Sequence, residues 1–179
     1  MNKIFYICTA SIFLTVIHFC CQSEHQPSKS ENQKKEVIKI DSSLYQWKDG
    51  IILLKWADLM DICFDQVYDD TLMMDVDIPH FGNKLTAIDG QEVIAEGYYI
   101  PVDETGDSEI VILSAFPYSQ CFFCGQAGVE SIIDVLVSEP LPSMKTDTKV
   151  RFKGKLKLND RNFDYLIYIL EDAVLYPER

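Results

Sequence analysis

A ten-residue segment near the end of the chain alternates between apolar and mostly basic side chains. Residues 149–158 read KVRFKGKLKL. Successive side chains of a strand point to opposite sides, so a period of two is typical of a strand that buries only one face. The apolar face would carry Val150, Phe152, Leu156 and Leu158. The segment therefore predicts a sheet with a core side and a solvent side.

Other segments of the folded part also have the composition of strands. They are Glu92–Ile100, Glu109–Phe116, Asn162–Leu170 and a short last one at Ala173–Tyr176. Turns such as Asp89-Gly90 and Asn159-Asp160 favour antiparallel hairpins over βαβ units. Gly97 and Gly154 interrupt strands, as at the bends and bulges of a barrel, and Val129–Val137 fits either a helix or a strand. We therefore predict a mainly β fold, a small OB-like antiparallel barrel of five or six strands.

One segment at the start of the folded part has the spacing of a helix. It runs from Leu54 to Phe64. Its apolar residues recur at helical spacing, with Asp58 and Asp61 on the other side. They are Trp56, Leu59, Met60, Cys63 and Phe64. The pattern predicts one short N-terminal helix, with Cys63 as a small core side chain on its apolar face.

The first twenty residues have the layout of a secretory signal. Lys3 supplies the positive charge, and the apolar run Ile4–Ile17 is shorter than the about 20 residues that a membrane helix needs. The following Cys20-Cys21 resembles a bacterial lipobox, in which a small residue precedes the lipidated cysteine. An ordinary signal peptide or an uncleaved anchor is the alternative. We expect residues 1–20 to be removed and Cys21 to carry lipid, which would anchor the protein in the cell envelope, facing the periplasm or the cell surface.

The rest of the chain divides into a tether and one domain. Residues 21–43 are rich in Gln, Ser, Lys and Glu, so they cannot bury enough apolar surface to fold. Residues 44–179 are long enough for one domain with its own core. The net charge of −12 repels phosphate backbones, so nucleic acid is not an expected partner. Basic, cationic and metal partners remain open.

The reactive side chains of the domain concentrate in Cys121-Phe122-Phe123-Cys124-Gly125, just after a predicted strand. Three roles are open, and we favour the first. Two buried thiols or a small disulfide would pin the turn, which suits the flanking phenylalanines. A soft metal ion such as zinc would take the pair as two of four ligands, with His25, Cys63 and His80 as the other soft candidates. Thiol–disulfide exchange would need a low-pKa cysteine, usually at a helix N-terminus.

An acidic stretch follows the predicted helix. Its carboxylates are Asp65, Asp69, Asp70, Asp75 and Asp77. They lack the Asp-x-Asp-x-Asp-Gly order of a calcium loop, so we interpret the stretch as a solvated face. His80 comes next, between Pro79 and Phe81, and is interpreted as a turn or surface residue.

Several motifs occur in a fixed order over residues 80–176. They are Ala87–Val93, Gly97–Pro101, Leu113-Ser114, Cys121–Gly125, Glu130 and Val150–Leu156. This ordered set resembles a family of bacterial envelope proteins of unknown function, many of them predicted lipoproteins. Gln91 stands where that family commonly has Lys, and Val129 where it commonly has Pro. The resemblance implies an OB-like barrel, a strand at Val129–Val137 and no established catalytic residue. Relatives encoded beside transporters imply an accessory role in transport or metal handling.

No Ser-His-Asp set, P-loop or pair of glycosidase carboxylates can be picked out, so the sequence does not indicate an enzyme. We predict a lipid-anchored binding or assembly module of the cell envelope. Its partners would be the membrane and an envelope or transporter protein. The alternative is a thiol–disulfide redox protein that uses Cys121 and Cys124. Zinc or another soft metal ion is the cofactor that the sequence suggests.

Overall fold

A computed structural model describes residues 40–102 and 109–177 of the protein. The predicted signal peptide, Cys21, His25 and nearly all of the predicted tether lie outside the described residues. Within the described residues, no helix is long and apolar enough to cross a membrane. The strands of the described part are β1 (Gln46–Lys48), β2 (Ile51–Leu54), β3 (Ile62–Asp69), β4 (Met74–Phe81), β5 (Glu92–Pro101), β6 (Ile110–Ser114), β7 (Ile132–Val137), β8 (Lys149–Leu158) and β9 (Tyr168–Leu175), and its α-helix is α1 (Asn83–Ala87).

Five of these strands close into a barrel. Their order is β5-β6-β7-β9-β8, and β8 pairs back onto β5. The β7–β9 pair is parallel and the other pairs in the ring are antiparallel. β1 and β2 extend the sheet beside β5. The mainly β fold and the small barrel are confirmed, but the barrel is not wholly antiparallel because β9 inserts between β7 and β8.

Gly97 lies where β5 changes its partner. Val93–Ala95 pair with β2 and Tyr98–Pro101 pair with β6, while β8 follows the other edge of β5. A Cβ atom on Gly97 would lie 2.5 Å from the carbonyl oxygen of Ser114 and 3.0 Å from the Trp56 ring. Only glycine permits so close an approach of two backbones.

The barrel interior is filled by alternate residues of its strands, and the alternation shifts by one residue at the bulge in β9. The buried set comprises Val93, Ala95, Val111, Leu113, Ile133, Val135, Phe152, Leu156, Leu170 and Ala173. Phe152 and Leu156 come from the alternating segment, so its predicted core face is the observed one. Val150 and Leu158 flank them and are partly buried. Gly154, between Phe152 and Leu156, lies opposite a bulge in β9, because Lys153 pairs with Val174 and Lys155 with Glu171.

The helix predicted over residues 54–64 is wrong. β2 ends at Leu54, a single 3₁₀ turn spans Trp56–Asp58, and β3 starts soon afterwards. The apolar residues of the segment do not share one face, because Leu59 is fully buried and Met60 is 61% exposed.

Tertiary contacts explain the conformation of this segment. Trp56 lies over Gly97, and its Nε1 donates a 2.8 Å hydrogen bond to the Glu96 carbonyl. The helix of the described part is instead α1, which is followed by Gly90 at φ +75°. A packing contact with β5 therefore outweighs the helical spacing, since propensity and periodicity are weak beside tertiary context.

Two further segments bear on the sequence predictions: one strand begins later than predicted, and the segment that fitted either a helix or a strand contains a strand. The strand predicted at Asn162–Leu170 begins only at Tyr168, and it continues without a break through the predicted last strand as β9. The ambiguous segment contains a 3₁₀ turn at Val129–Ser131 followed by β7. Residues 159–167 are consequently a loop, and this loop shapes the site described below.

β3 and β4 form a separate two-stranded sheet. They pair along their whole length, from Ile62 opposite Phe81 to Asp69 opposite Met74. At its base Ile62 and Phe81 pack partly against the core, and the Phe81 ring centroid lies 5.9 Å from that of Tyr168. The acidic stretch is therefore a hairpin, and its aspartates are exposed except for the half-buried Asp69.

Candidate functional site

The outer face of β5, β6 and β7 carries a groove of about 550 Å³. Its floor is a row of directly paired residues, with Ile100 opposite Ile112 and Ile112 opposite Asp134. Beneath the groove lies a small apolar cluster that is separate from the barrel interior. Its members are Ile100, Ile112, Cys121, Ile132 and the partly buried Leu166. A concave site of this size is in the range that holds small organic ligands.

The Cys-x-x-Cys motif builds one side of this groove. Cys121 is fully buried in the small apolar cluster, whereas Cys124 is exposed. The Cys124 thiol donates a 3.1 Å hydrogen bond to the Tyr118 carbonyl, and Gly125 at φ +69° ends the turn. Both thiols are free in the structure. The motif thus holds a compact turn by packing on one side and by a hydrogen bond on the other.

This turn supplies an aromatic wall. Tyr118 and Phe123 both line the groove. The Tyr118 backbone N–H donates a 2.7 Å hydrogen bond to the Asp147 carboxylate. Phe123 meets Phe122 edge to face, with ring centroids 5.6 Å apart, a favoured geometry for aromatic pairs. One of the two residues between the cysteines, Phe123, therefore lines the groove together with Tyr118.

The loop at residues 159–167 supplies the opposite wall. Its aromatic side chains Phe163 and Tyr165 line the groove. Asn159 shapes the loop, because the two N–H groups of its Nδ2 are shared among the carbonyl oxygens of Asn162, Tyr165 and Leu166, at 2.7, 3.2 and 3.0 Å. Its Oδ1 accepts a 2.9 Å hydrogen bond from the Asn162 N–H. The loop is therefore ordered by its own contacts before any ligand binds.

Asp134 connects the floor to this loop. Its Oδ2 accepts a 2.7 Å hydrogen bond from the Leu166 N–H, and the residue is only 6% exposed. Burial raises the pKa of the Asp134 carboxyl, although the hydrogen bond from Leu166 opposes this shift. No cationic side chain of the described residues pairs with Asp134, and a buried carboxylate without such a partner is costly, which makes Asp134 a candidate for a ligand contact.

Within the described residues, the charged side chains that line the groove are acidic. Asp134 and Asp164 are the charged side chains among the described residues that line it. Two smaller pockets lie elsewhere, one of about 330 Å³ beside Trp56 and Gly97, and one of about 380 Å³ beside Met60 and Phe116. Neither combines aromatic walls on two sides with a buried carboxylate. The groove is therefore our candidate functional site.

The predicted metal candidates fall in separate elements. Cys63 and His80 face each other across the β3–β4 hairpin, and His80 Nε2 lies 3.0 Å from the Asp65 carboxylate. Cys121 and Cys124 belong to the turn before β7. Across the described residues, three or more potential ligands do not gather at any point that could hold a metal ion.

Serine substitutions will separate the roles of the two thiols. We expect Cys121→Ser to lower the free energy of unfolding by about 1–3 kcal/mol, because it places a hydroxyl in an apolar cluster. Cys124→Ser should cost less than about 0.5 kcal/mol, since this position is exposed and the hydroxyl can still donate to the Tyr118 carbonyl. Chemical denaturation measures both. A disulfide would instead give equal losses, and a metal site would appear as bound zinc that both variants lose.

Asp134, Phe163 and Tyr165 were not predicted as site residues. Asp134 is the single charged residue within the apolar run Ile132–Val137, a pattern that could have drawn attention to it. The Asn159-Asp160-Arg161-Asn162 sequence is rich in turn formers, and it could have indicated a longer loop in place of an early strand. Nothing in the sequence pattern alone brings these two segments together.

The chain matches no family model. No curated protein matches it either. Among solved structures, it is similar to a DUF3299 family protein from Pseudomonas aeruginosa, with a TM-score of 0.40, 16% sequence identity, and coverage of 56% of this chain and 69% of that chain. A similarity at this level does not bear on function, so the proposals below depend on the geometry of this chain.

Proposed function

We propose that the barrel is of the OB-like type and that the protein is a binding module. In chain order the barrel strands β5 to β9 are the first to fifth, and they lie in the ring order first-second-third-fifth-fourth. OB folds bind ligands on the face of their second and third strands, between the loops after the first and the fourth. The groove lies on β6 and β7, beside the loop that joins β8 to β9. This coincidence is the observation that carries the proposal.

The groove favours a ligand with a flat apolar body and a positive charge. Phe123 and Phe163 offer aromatic faces, which attract cations as well as apolar groups. Asp134 offers a desolvated carboxylate, to which a charged donor binds more strongly than in water. Anionic ligands would meet Asp134 and Asp164 without a compensating base in the described lining. We therefore propose organic cations, such as aryl-alkyl amines or the basic side chains of a peptide, as the ligand class.

A pair of matched probes tests this function. 2-Phenylethylammonium and 3-phenylpropanoate share a ring and a short chain but carry opposite charges. We expect the full purified chain to bind the cation at least tenfold more tightly than the anion by isothermal titration calorimetry. Tyr165→Ala should weaken binding of the cation about tenfold, in line with a contribution of ~1 kcal/mol or more per aromatic–cation contact.

Phe116→Ala is the matched control. Phe116 is an aromatic residue that does not line the groove, and it is more exposed than the half-buried Tyr165. Its substitution should leave the affinity unchanged. Equal affinity for the two probes, or an equal loss in both variants, would contradict the groove as the binding site.

We also propose that Cys21 attaches this module to a membrane of the cell envelope. The support is the signal-like sequence before Cys21 and the polar segment after it. In the Cys21→Ala variant, we expect the protein to appear in the soluble fraction or to accumulate unprocessed. Fractionation followed by mass spectrometry of the N-terminus measures both outcomes. Membrane attachment that persists in the variant would disprove lipidation at this residue.

Thiol–disulfide exchange is a weaker candidate. An exchange protein uses an exposed cysteine that a helix N-terminus or a nearby cation activates. Here the exposed Cys124 ends a three-residue 3₁₀ turn, and Cys121 is fully buried. An accessory role in the transport of organic cations would fit the proposed ligand class, whereas the described lining of the groove offers no ligand set for a metal ion.

A further inference from the structure

The β3–β4 hairpin extends away from the apolar core. Ile62 and Phe81 at its base pack partly on the core, but none of residues 63–80 belongs to either apolar cluster of the described part. We call residues 63–80 the arm. Its eight-residue strands reach about 27 Å at ~3.4 Å per residue. A two-stranded hairpin alone is only marginally stable in water, so the arm gains little from its own pairing.

The far end of the arm exposes large apolar side chains. Tyr68 is 58% exposed and Met73 is 77% exposed. Leu72 in the turn is also exposed, as are Val67 and Met74 on the opposite face of the hairpin from Tyr68. The exposed Phe64 lies nearer the base of the arm. Single apolar residues scattered over a surface are normal, whereas several large ones gathered at one end of a hairpin are typical of an interaction site.

The turn at this end is held in one conformation. The Asp69 carboxylate accepts hydrogen bonds from the N–H groups of Thr71 and Leu72, at 2.7 and 3.0 Å. Met73 adopts a left-handed conformation, with φ +54°, before β4 begins. The apolar side chains are therefore presented on a defined loop, which lowers the entropy lost on binding.

All full charges of the arm are negative. Between residues 62 and 81 there is no lysine or arginine. The acidic residues are Asp65, Asp69, Asp70, Asp75 and Asp77. His80 lies against Asp65 near the base. A surface that is apolar at its end and acidic along its length is complementary to an apolar pocket with a basic rim.

We propose that the arm docks into a basic protein partner, whose apolar pocket receives Tyr68 and Met73. A projecting hairpin is convex, so it fits a partner's pocket and does not itself enclose a small ligand. A second copy of this chain would bring two sets of aspartates together, which is repulsive. An anionic membrane surface would repel the aspartates as well. This docking surface is separate from the groove and does not depend on the ligand proposed there.

A photo-crosslinker identifies the partner. The full chain, expressed in its native cells, carries a benzoyl-phenylalanine at position 68 or, as a control, at the exposed Glu139 outside the arm. We expect one protein to be crosslinked from position 68 and not from position 139. That protein is then identified by mass spectrometry, purified and titrated against the full chain.

The titration decides the proposal. We expect Tyr68→Ser with Met73→Ser to weaken binding at least tenfold, and Asp70→Asn with Asp75→Asn to flatten its dependence on salt. Glu139→Gln should change neither quantity. The melting temperature should stay constant in all variants, because the arm lies outside the core. Crosslinking only to this same chain, only to lipid, or equally from both positions would overturn the proposal, as would a partner that binds the arm variants with unchanged affinity.

Discussion

Replacing Gly97 with alanine should lower the free energy of unfolding by about 3 kcal/mol, the upper end of the range for overpacked cores. The new Cβ would lie 2.5 Å from the Ser114 carbonyl oxygen and 3.0 Å from both the Leu113 and the Trp56 side chains. The oxygen belongs to the backbone of β6, whose residue Ser114 pairs with Tyr98, so it cannot move without opening the β5–β6 contact. Because a domain has only ~5–15 kcal/mol of stability, the variant should also accumulate poorly.

Gly128→Ala provides the control for this substitution. A Cβ on Gly128 would come even closer to another atom, at 2.2 Å, but that atom is a carboxylate oxygen of Glu130, at the far end of a flexible side chain. Gly128 has φ −79°, which alanine adopts without strain. We expect a loss below about 1 kcal/mol in urea denaturation. Equal losses of stability in the two variants would mean that the close contact between β5 and β6 at Gly97 is not rigid.

Segments with strong local patterns were predictable from the sequence. The alternating segment forms β8 with the predicted bounds, Lys149–Leu158, and the apolar run that begins near Glu109 forms β6. The apolar pattern of these segments fits only a strand, and each of them forms a strand of the barrel. Gly154 was predicted to mark a bend or a bulge, and it lies opposite a bulge that belongs to β9.

The first strands were missed because a helical pattern was favoured over a turn signal. Asp49-Gly50 is flanked by apolar residues, and Asp-Gly is a strong signal for a two-residue hairpin. Both residues have positive φ, +52° and +79°, and they join β1 to β2. The pattern at residues 54–64 indicated a helix, but Trp56 and Leu59 reach the core from an irregular segment. A short apolar pattern does not distinguish a helix from an irregular segment that reaches the core. The contacts that decide between them come from β5, some forty residues away.

The groove itself combines three segments that are distant in the chain. A structural role was the favoured prediction for the Cys121–Cys124 turn, and one of its residues, Phe123, lines the groove. Asp134 and the loop at residues 159–167 meet through one hydrogen bond, between the Asp134 carboxylate and the Leu166 N–H. That contact depends on the parallel pairing of β7 with β9, which local periodicity does not encode. Sequence patterns therefore predicted the individual strands and turns better than the site they form together.

Two substitutions at Asp134 separate its charge from its hydrogen bond. Asp134→Leu removes the acceptor of the Leu166 N–H, so we expect a loss of about 1–3 kcal/mol in stability. Asp134→Asn keeps an acceptor oxygen in the same place and removes the buried charge. This variant should be at least as stable as the parent at neutral pH, because the pKa of Asp134 is raised by burial and ionisation therefore opposes folding.

The stability difference between Asp134→Asn and the parent should change with pH in a direction that follows from the raised pKa of Asp134. A carboxyl whose pKa is higher in the folded state binds its proton more tightly there, so its ionisation penalty is absent below the ordinary aspartate pKa of about 3.9. The penalty develops as the pH rises from that value through the raised pKa of the folded state. The stability difference between Asp134→Asn and the parent should therefore be near zero at low pH and should grow toward neutral pH, as measured by denaturation across a pH series. A difference that grows toward low pH would contradict the raised pKa.

Asp134→Asn should weaken binding of the cationic probe although it does not lower the stability of the protein. If Asp134 contacts the cationic group of a ligand, Asp134→Asn removes a charged hydrogen bond worth about 1.5–3 kcal/mol, so the affinity for 2-phenylethylammonium should fall at least tenfold. The affinity for 3-phenylpropanoate should rise or remain the same. Calorimetry at neutral pH measures both. If the variant is as stable as the parent yet loses the preference for the cation, asparagine replaces the structural role of Asp134 but not its role in binding. The buried carboxylate would then serve binding. Unchanged selectivity would instead assign Asp134 solely to holding the loop at residues 159–167.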